Sequence, residues 1–109
     1  MADILGAFEQ AVLLTVIRLG EGAYGRAILR DLHTRLERDV AAGAVHATLE
    51  RLESKGFVSS RLGSGTTVRD GRARRFYTVK AAGARALDDA RRSLDRVWQG
   101  VGRPVKARG

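Results

Sequence analysis

Four arginines, Arg69, Arg72, Arg74 and Arg75, fall within seven residues of one another. Each guanidinium is a planar fork of N–H donors that fits a phosphate or the edge of a narrow minor groove. Upstream, Gly43, His46, Ala47, Glu50 and Ser54 are spaced to share one face of a helix. That face is small and nearly uncharged, and Ala41, Ala42, Gly43 and Ala44 make its N-terminal end smaller still. Such a helix can bring its backbone close to DNA, where its dipole favours phosphate. The chemistry on offer is recognition of a polyanion, with a helix for the major groove and an arginine-rich hairpin for the flanking backbone or minor groove. Ala42, His46, Ala47 and Glu50 lie where base edges can be reached. Tyr24 and Gly43 are candidates for phosphate contacts.

Bond-making chemistry has little to work with. The chain has two histidines and no cysteine. It offers no nucleophile–base pair or paired carboxylates, so an enzyme is not expected. His33 sits beside Arg30 and Glu37 at helical spacing, with no second ligand nearby, and is expected to be a surface histidine. No metal or cofactor is expected. The missing cysteine leaves the redox compartment undetermined.

The charge is concentrated. The chain carries a formal net charge of +8 over 109 residues, yet residues 1–60 hold 7 basic side chains against 8 acidic ones. The excess lies in residues 61–80 and 91–109, each with 6 basic and 1 acidic side chain. Two places are therefore set to meet polyanions. An anionic membrane is the weaker partner, because no strongly apolar face accompanies this charge. Asp3 and Glu9 precede the first apolar run, unlike the start of a secretory signal, and no run is long enough to span a bilayer. A soluble, cytoplasmic protein is expected.

The elements that would position these residues follow from periodicity. Leu5, Phe8, Val12, Val16 and Leu19 recur at steps of three and four, widened by Leu13 and Ile17. They predict a helix over 4–19, either central to the core or shared with a dimer partner. Gly20-Glu21-Gly22 is a turn. A second helix is predicted over 24–37, burying Ile28, Leu32 and Leu36 with Leu29 beside them. After a tight link at 38–42, a third runs over 43–55 with Val45, Leu49 and Leu52 inward, ending at Gly56. Strands follow over 57–62 and 74–79, joined by a long turn marked by Gly63-Ser64-Gly65 and Asp70-Gly71.

The last helix is predicted over 81–99. Leu87, Leu94 and Val101 are seven apart, with Ala90 and Val97 three after the first two, which makes a short heptad seam. Two heptads suffice for a helix that packs on a partner already docked elsewhere. Leu5, Phe8, Val12, Leu87, Ala90, Leu94, Val97, Trp98 and Val101 are the candidate dimer residues. Trp98 could be a dimer anchor, a core residue or the wall of a small-molecule cavity, which makes Leu94 and Trp98 candidate effector contacts. Residues 101–109 are expected to be a frayed basic tail. The fold class is mainly α with a small β-hairpin: a winged helix-turn-helix over 1–80 and a C-terminal dimerisation helix over 81–100.

Three segments, LGEGAYGRAI (19–28), GAVHATLERLESKGFVSSRLG (43–63) and GRARRFYTVKAAG (71–83), resemble the PadR family of bacterial transcription regulators. The resemblance covers about residues 6–87. It implies a winged-helix domain, a homodimer built by the first and last helices, and transcriptional control, most often repression at an inverted-repeat operator. It also implies release from DNA by a small hydrophobic or aromatic effector in some members. Two positions depart from the family's pattern. His46 stands where a tyrosine is usual, and a histidine can donate to or accept from a base edge, so either the DNA sequence read or its pH dependence is expected to differ. Lys80-Ala81 stands where Thr-Pro is usual, which predicts a weaker cap on the last helix. The chain ends soon after that helix, like members with a short C-terminal region. The alternative is a winged-helix ligand-sensing or protein-interaction module that does not read an operator, because the small face of the third helix supplies few donors to bases.

Overall fold

The apolar periodicity folds as four helices, and the β-rich stretch folds as one hairpin. The computed structural model describes residues 4–63 and 74–102. Helix α1 (Ala7–Leu19) leads through a 3-10 turn (Gly20–Gly22) into α2 (Gly25–Leu36) and α3 (Ala42–Ser54). Strands β1 (Val58–Leu62) and β2 (Arg75–Val79) follow, and α4 (Ala81–Trp98) closes the described fold. The strands pair antiparallel, from Val58 opposite Val79 to Leu62 opposite Arg75. This is the mainly helical winged helix-turn-helix that the sequence predicts. Among the described residues no helix is long and apolar enough to cross a membrane.

The four described helices and the hairpin share one core. Leu13, Ile28, Leu32, Leu49, Leu52 and Val58 are fully buried. Each such aliphatic side chain contributes about 1.5–3 kcal/mol of burial free energy. Thr15 is buried too, and its hydroxyl donates to the Ala11 carbonyl at 2.8 Å, so no polar atom is stranded.

Helix α1 begins three residues later than predicted, at Ala7 behind Gly6. Glu9 explains the start. Its Oε1 accepts the Gly6 N–H at 3.2 Å, half of a capping box. Its Oε2 meets Lys55 Nζ at 3.1 Å and Arg51 Nε at 3.4 Å, which ties α1 to the C-terminal end of α3. Burial pushes the Glu9 carboxyl up. Hydrogen bonds from Lys55 and the Gly6 N–H, with the nearby cations, outweigh this and hold it below its ordinary value.

Two expectations for α2 need correction. Leu36 is exposed, because α2 ends there: Glu37 turns into the left-handed region at φ 53° and the chain leaves the core. His33 is half-buried, not a surface residue, and its Nε2–H donates to the Val40 carbonyl at 2.7 Å. This bond pins the α2–α3 link, whose Val40 is itself buried. Asp31 clasps α2 to α1 through Arg18 at 2.7 Å, with Arg35 at 3.4 Å.

Three candidate dimer residues are also reassigned. Leu5, Val12 and Ala90 are buried in the chain's own core. Val12 lies on the side of α1 covered by its own fold, and the apolar residues α1 leaves exposed are Leu14 and Ile17. Phe8 and Leu87 are half-buried against the same core. Leu94, Val97, Trp98 and Val101 remain between 44% and 73% exposed. The heptad seam is thus divided, its first half used within the chain and its second half left open.

Helix α4 starts without a side-chain cap at Lys80, as its sequence predicts. Its anchor is Gly83. A Cβ built there would lie 2.4 Å from the Phe57 carbonyl oxygen and 3.0 Å from Val79 Cγ1. Only glycine lets the helix come this close to the base of the hairpin.

Two outcomes follow from this packing. Gly83→Ala should destabilise the fold by about 1–3 kcal/mol in urea unfolding, since backbone must move to admit the methyl. An unchanged midpoint would mean that α4 can swing away freely. Glu9→Gln should cost about 1 kcal/mol at neutral pH. A lowered folded-state pKa gives stability that is present above the ordinary carboxylate range and lost as pH falls through the lowered value. The gap between variant and wild type should therefore close in acid. A gap independent of pH would show that the Glu9 charge contributes nothing.

Candidate nucleic-acid interface

Helix α3 keeps two faces apart. Val45, Thr48, Leu49 and Leu52 are buried, while Ala42, Gly43, His46, Ala47 and Glu50 are all exposed. Ala41, at the N-cap, makes no side-chain cap bond, so the first N–H groups of α3 remain open to an outside acceptor. A Cβ at Gly43 would meet nothing within 4 Å, so the fold itself does not demand glycine there. His46 and Glu50 sit one turn apart, with Nε2 and Oε1 separated by 3.6 Å.

The hairpin stands beside this face. Between them lies a groove of about 520 Å³, lined by Tyr24, Gly25 and Arg26 from the start of α2, by Ala42 and His46 of α3, and by Arg74 and Arg75. Leu29, Val45, Leu49 and Tyr77 form its apolar floor. Burial pushes the Tyr77 hydroxyl up; Arg75 opposes this, and Glu53 and Glu50 add to it.

Arg74 and Arg75, the two candidate wing arginines within the described residues, are held differently. Arg75 donates through a terminal guanidinium nitrogen to Ser60 Oγ at 3.0 Å, and that hydroxyl donates to Glu53 Oε2 at 2.7 Å. The chain of bonds joins the wing to the last turn of α3. The Arg74 guanidinium lies 4.4 Å above the centre of the Tyr24 ring. Tyr24 packs edge-on against Phe76 at 5.6 Å, and Arg61 covers the Phe76 ring at 5.2 Å. Backbone bonds support this stack: the Tyr77 N–H donates to the Ala23 carbonyl at 2.8 Å, and Tyr24 bridges Phe76.

Five of the sequence-derived candidates, Tyr24, Ala42, His46, Arg74 and Arg75, line this one groove, while Gly43, Ala47 and Glu50 are exposed on α3 outside its lining. Arg69 and Arg72 lie outside the described residues. Arg26, Ser60, Glu53 and Arg61 were not anticipated. Arg26 carried a signal, two residues after Tyr24 at the start of a helix. The other three depend on strand register and had none.

The profile of the transcriptional regulator PadR-like family matches residues 13–89. The chain belongs to that family. Transcriptional regulator Rv3488 of Mycobacterium tuberculosis is 41% identical over 62 residues, 57% of this chain and 54% of that protein. The match spans about half the length of that curated relative. A PadR family regulator from Eggerthella lenta shares the fold at TM-score 0.65 and 27% identity, over 84% of this chain and 77% of that one. Bacillus subtilis PadR, solved in complex with operator DNA, matches at TM-score 0.62 and 18% identity, over 95% of this chain and 53% of that one. At that identity the likeness is one of fold. These PadR-like relatives are transcriptional regulators, not enzymes.

A second concavity lies on the far side of this PadR-like fold. A groove of about 390 Å³ between α1 and α4 is lined by Gln10, Leu14, Leu87, Asp88, Arg91, Leu94 and Asp95. Leu94, a candidate effector contact, is part of it, while Trp98 lies one turn beyond its lining.

Proposed function

We propose that this chain is a sequence-specific DNA-binding repressor acting in the cytoplasm as a homodimer on an inverted-repeat operator. The observation that carries this reading is the single groove in which the exposed face of α3 meets Arg74 and Arg75 of the wing. Helix α3 enters the major groove, with Ala42, His46, Ala47 and Glu50 toward base edges. Gly43 lets the backbone of α3 approach a phosphate, Tyr24 stands beside Arg74 at the same groove, and the wing arginines hold the flanking backbone. Bound at a promoter, the protein blocks polymerase. The operator complex of the Bacillus subtilis relative supports the same use of the fold.

The open half of the α4 seam supports the dimer. Leu94, Val97, Trp98 and Val101, with Leu14 and Ile17 on α1, are large apolar side chains left exposed, and Leu14 and Leu94 line one groove. Two copies joined there place their α3 helices in successive major grooves, about one helical turn apart. The Leu94-lined groove beside this surface is where a small hydrophobic or aromatic effector would enter.

The deciding measurement is binding to the chain's own upstream DNA against a scrambled duplex at about physiological salt. A strong preference for the first is expected, and His46→Ala should reduce it by about 1–3 kcal/mol of discrimination while leaving scrambled-duplex binding unchanged. Equal losses on both duplexes would remove His46 from base reading. Wild-type binding that ignores sequence would refute operator recognition. Sedimentation should give a dimer that Leu94→Glu converts to monomer with helicity retained, and a wild-type monomer at tens of micromolar would refute the assembly.

A further inference from the structure

Tyr24 stands at the start of α2, far in sequence from the hairpin. Its ring is nevertheless the middle of a continuous stack. Arg74 lies over its face, Phe76 packs against it in a T-shaped arrangement, and Arg61 lies over the Phe76 ring. We propose that Tyr24 serves DNA binding as a stacking platform that holds the Arg74 guanidinium, and not through a hydroxyl bond of its own to phosphate. This deepens the DNA-binding reading above and rests on it.

The physical case begins with the free arginine. An unsupported arginine on a wing samples many rotamers, and each must be frozen when a phosphate is bound. Stacking on an aromatic face restrains the side chain and leaves all five in-plane N–H donors at its edge. The donors are then already placed when a phosphate arrives. The platform is also held in place. Tyr24 bridges Phe76, and the Tyr77 N–H bonds the Ala23 carbonyl, so ring and arginine cannot drift apart. Arg74 and Tyr24 both line the groove beside α3, which puts the guanidinium edge at the proposed DNA face.

Arg75, next in sequence, is the internal contrast. It is held by Ser60 through a hydrogen bond, which occupies one of its donors. Arg74 is held through its face, and among the described residues its edge makes no hydrogen bond. Tyr24 is therefore a positioning residue for Arg74.

The test uses the full chain and its upstream duplex, with Tyr24→Phe, Tyr24→Leu, Arg74→Ala and the Tyr24→Leu/Arg74→Ala double variant, each checked by thermal unfolding. Tyr24→Phe should bind as wild type does. Tyr24→Leu should weaken binding about three- to thirtyfold. Arg74→Ala should weaken binding and reduce the salt slope, and the double variant should bind no worse than Arg74→Ala alone. A Tyr24→Phe loss equal to that of Tyr24→Leu would overturn the proposal in favour of a hydroxyl contact. Additive losses in the double variant would overturn it as well. Wild-type protein that binds no duplex would instead refute the DNA-binding reading, and the platform with it.

Discussion

A two-stranded hairpin is marginal in water by itself, and the hairpin of this chain is steadied by a neighbour that is not a strand. The segment Ala23–Tyr24 lies alongside β2, accepts the Tyr77 N–H and bridges Phe76. On one face of the hairpin the Tyr77 side chain is buried beside Leu49 of α3. The wing is thereby gripped at the open edge of β2 and from one face. Its arginines inherit fixed positions relative to α3, and the groove between them exists because of that grip. Loosening it would free Arg74 and Arg75 without touching either.

Helix α3 is fixed in the same manner from three directions. Glu9 of α1 holds its C-terminal end through Arg51 and Lys55. His33 of α2 secures the link that leads into its first turn. Glu53 reaches the wing through Ser60. None of these contacts involves the outer face, which stays small and exposed. Rigidity is supplied from behind, which leaves the front free for the recognition of DNA proposed above. That division lowers the ordering cost of binding, because little of the interface remains to be frozen. It also leaves the outer face open to change: among the described residues the side-chain partner of His46 is Glu50 of the same helix.

The order and type of the elements were legible because long apolar periodicities and glycine stops are local signals. So was the concentration of charge that points to a polyanion. The failures share a cause. Leu5, Val12 and Ala90 fit the pattern of an interface, but periodicity shows only that a face is buried and not by which chain. His33 looked isolated because its partner is a backbone carbonyl seven residues away. Leu36 fitted the stripe of a helix that ends where the stripe would have continued. The stack of Arg61, Phe76, Tyr24 and Arg74 joins three segments whose register no single-sequence pattern specifies. The groove was foreseeable as residues, and its geometry was not.

The division of α4 links the two ends of the molecule. Its first turn cannot move relative to the hairpin base, because Gly83 sits against the Phe57 carbonyl and the Lys80 N–H donates to that same oxygen at 2.9 Å. Its last two turns carry the unpartnered apolar side chains. A helix is stiff over this length, so whatever covers Leu94, Val97 and Trp98 also fixes the direction of the rod that is locked to the wing. In a dimer joined through that surface, the spacing of the two recognition helices is set by the crossing of the two α4 helices. A change of packing near Leu94 would then alter operator fit without any contact to DNA, because the wing and α3 move with the helix to which they are fastened.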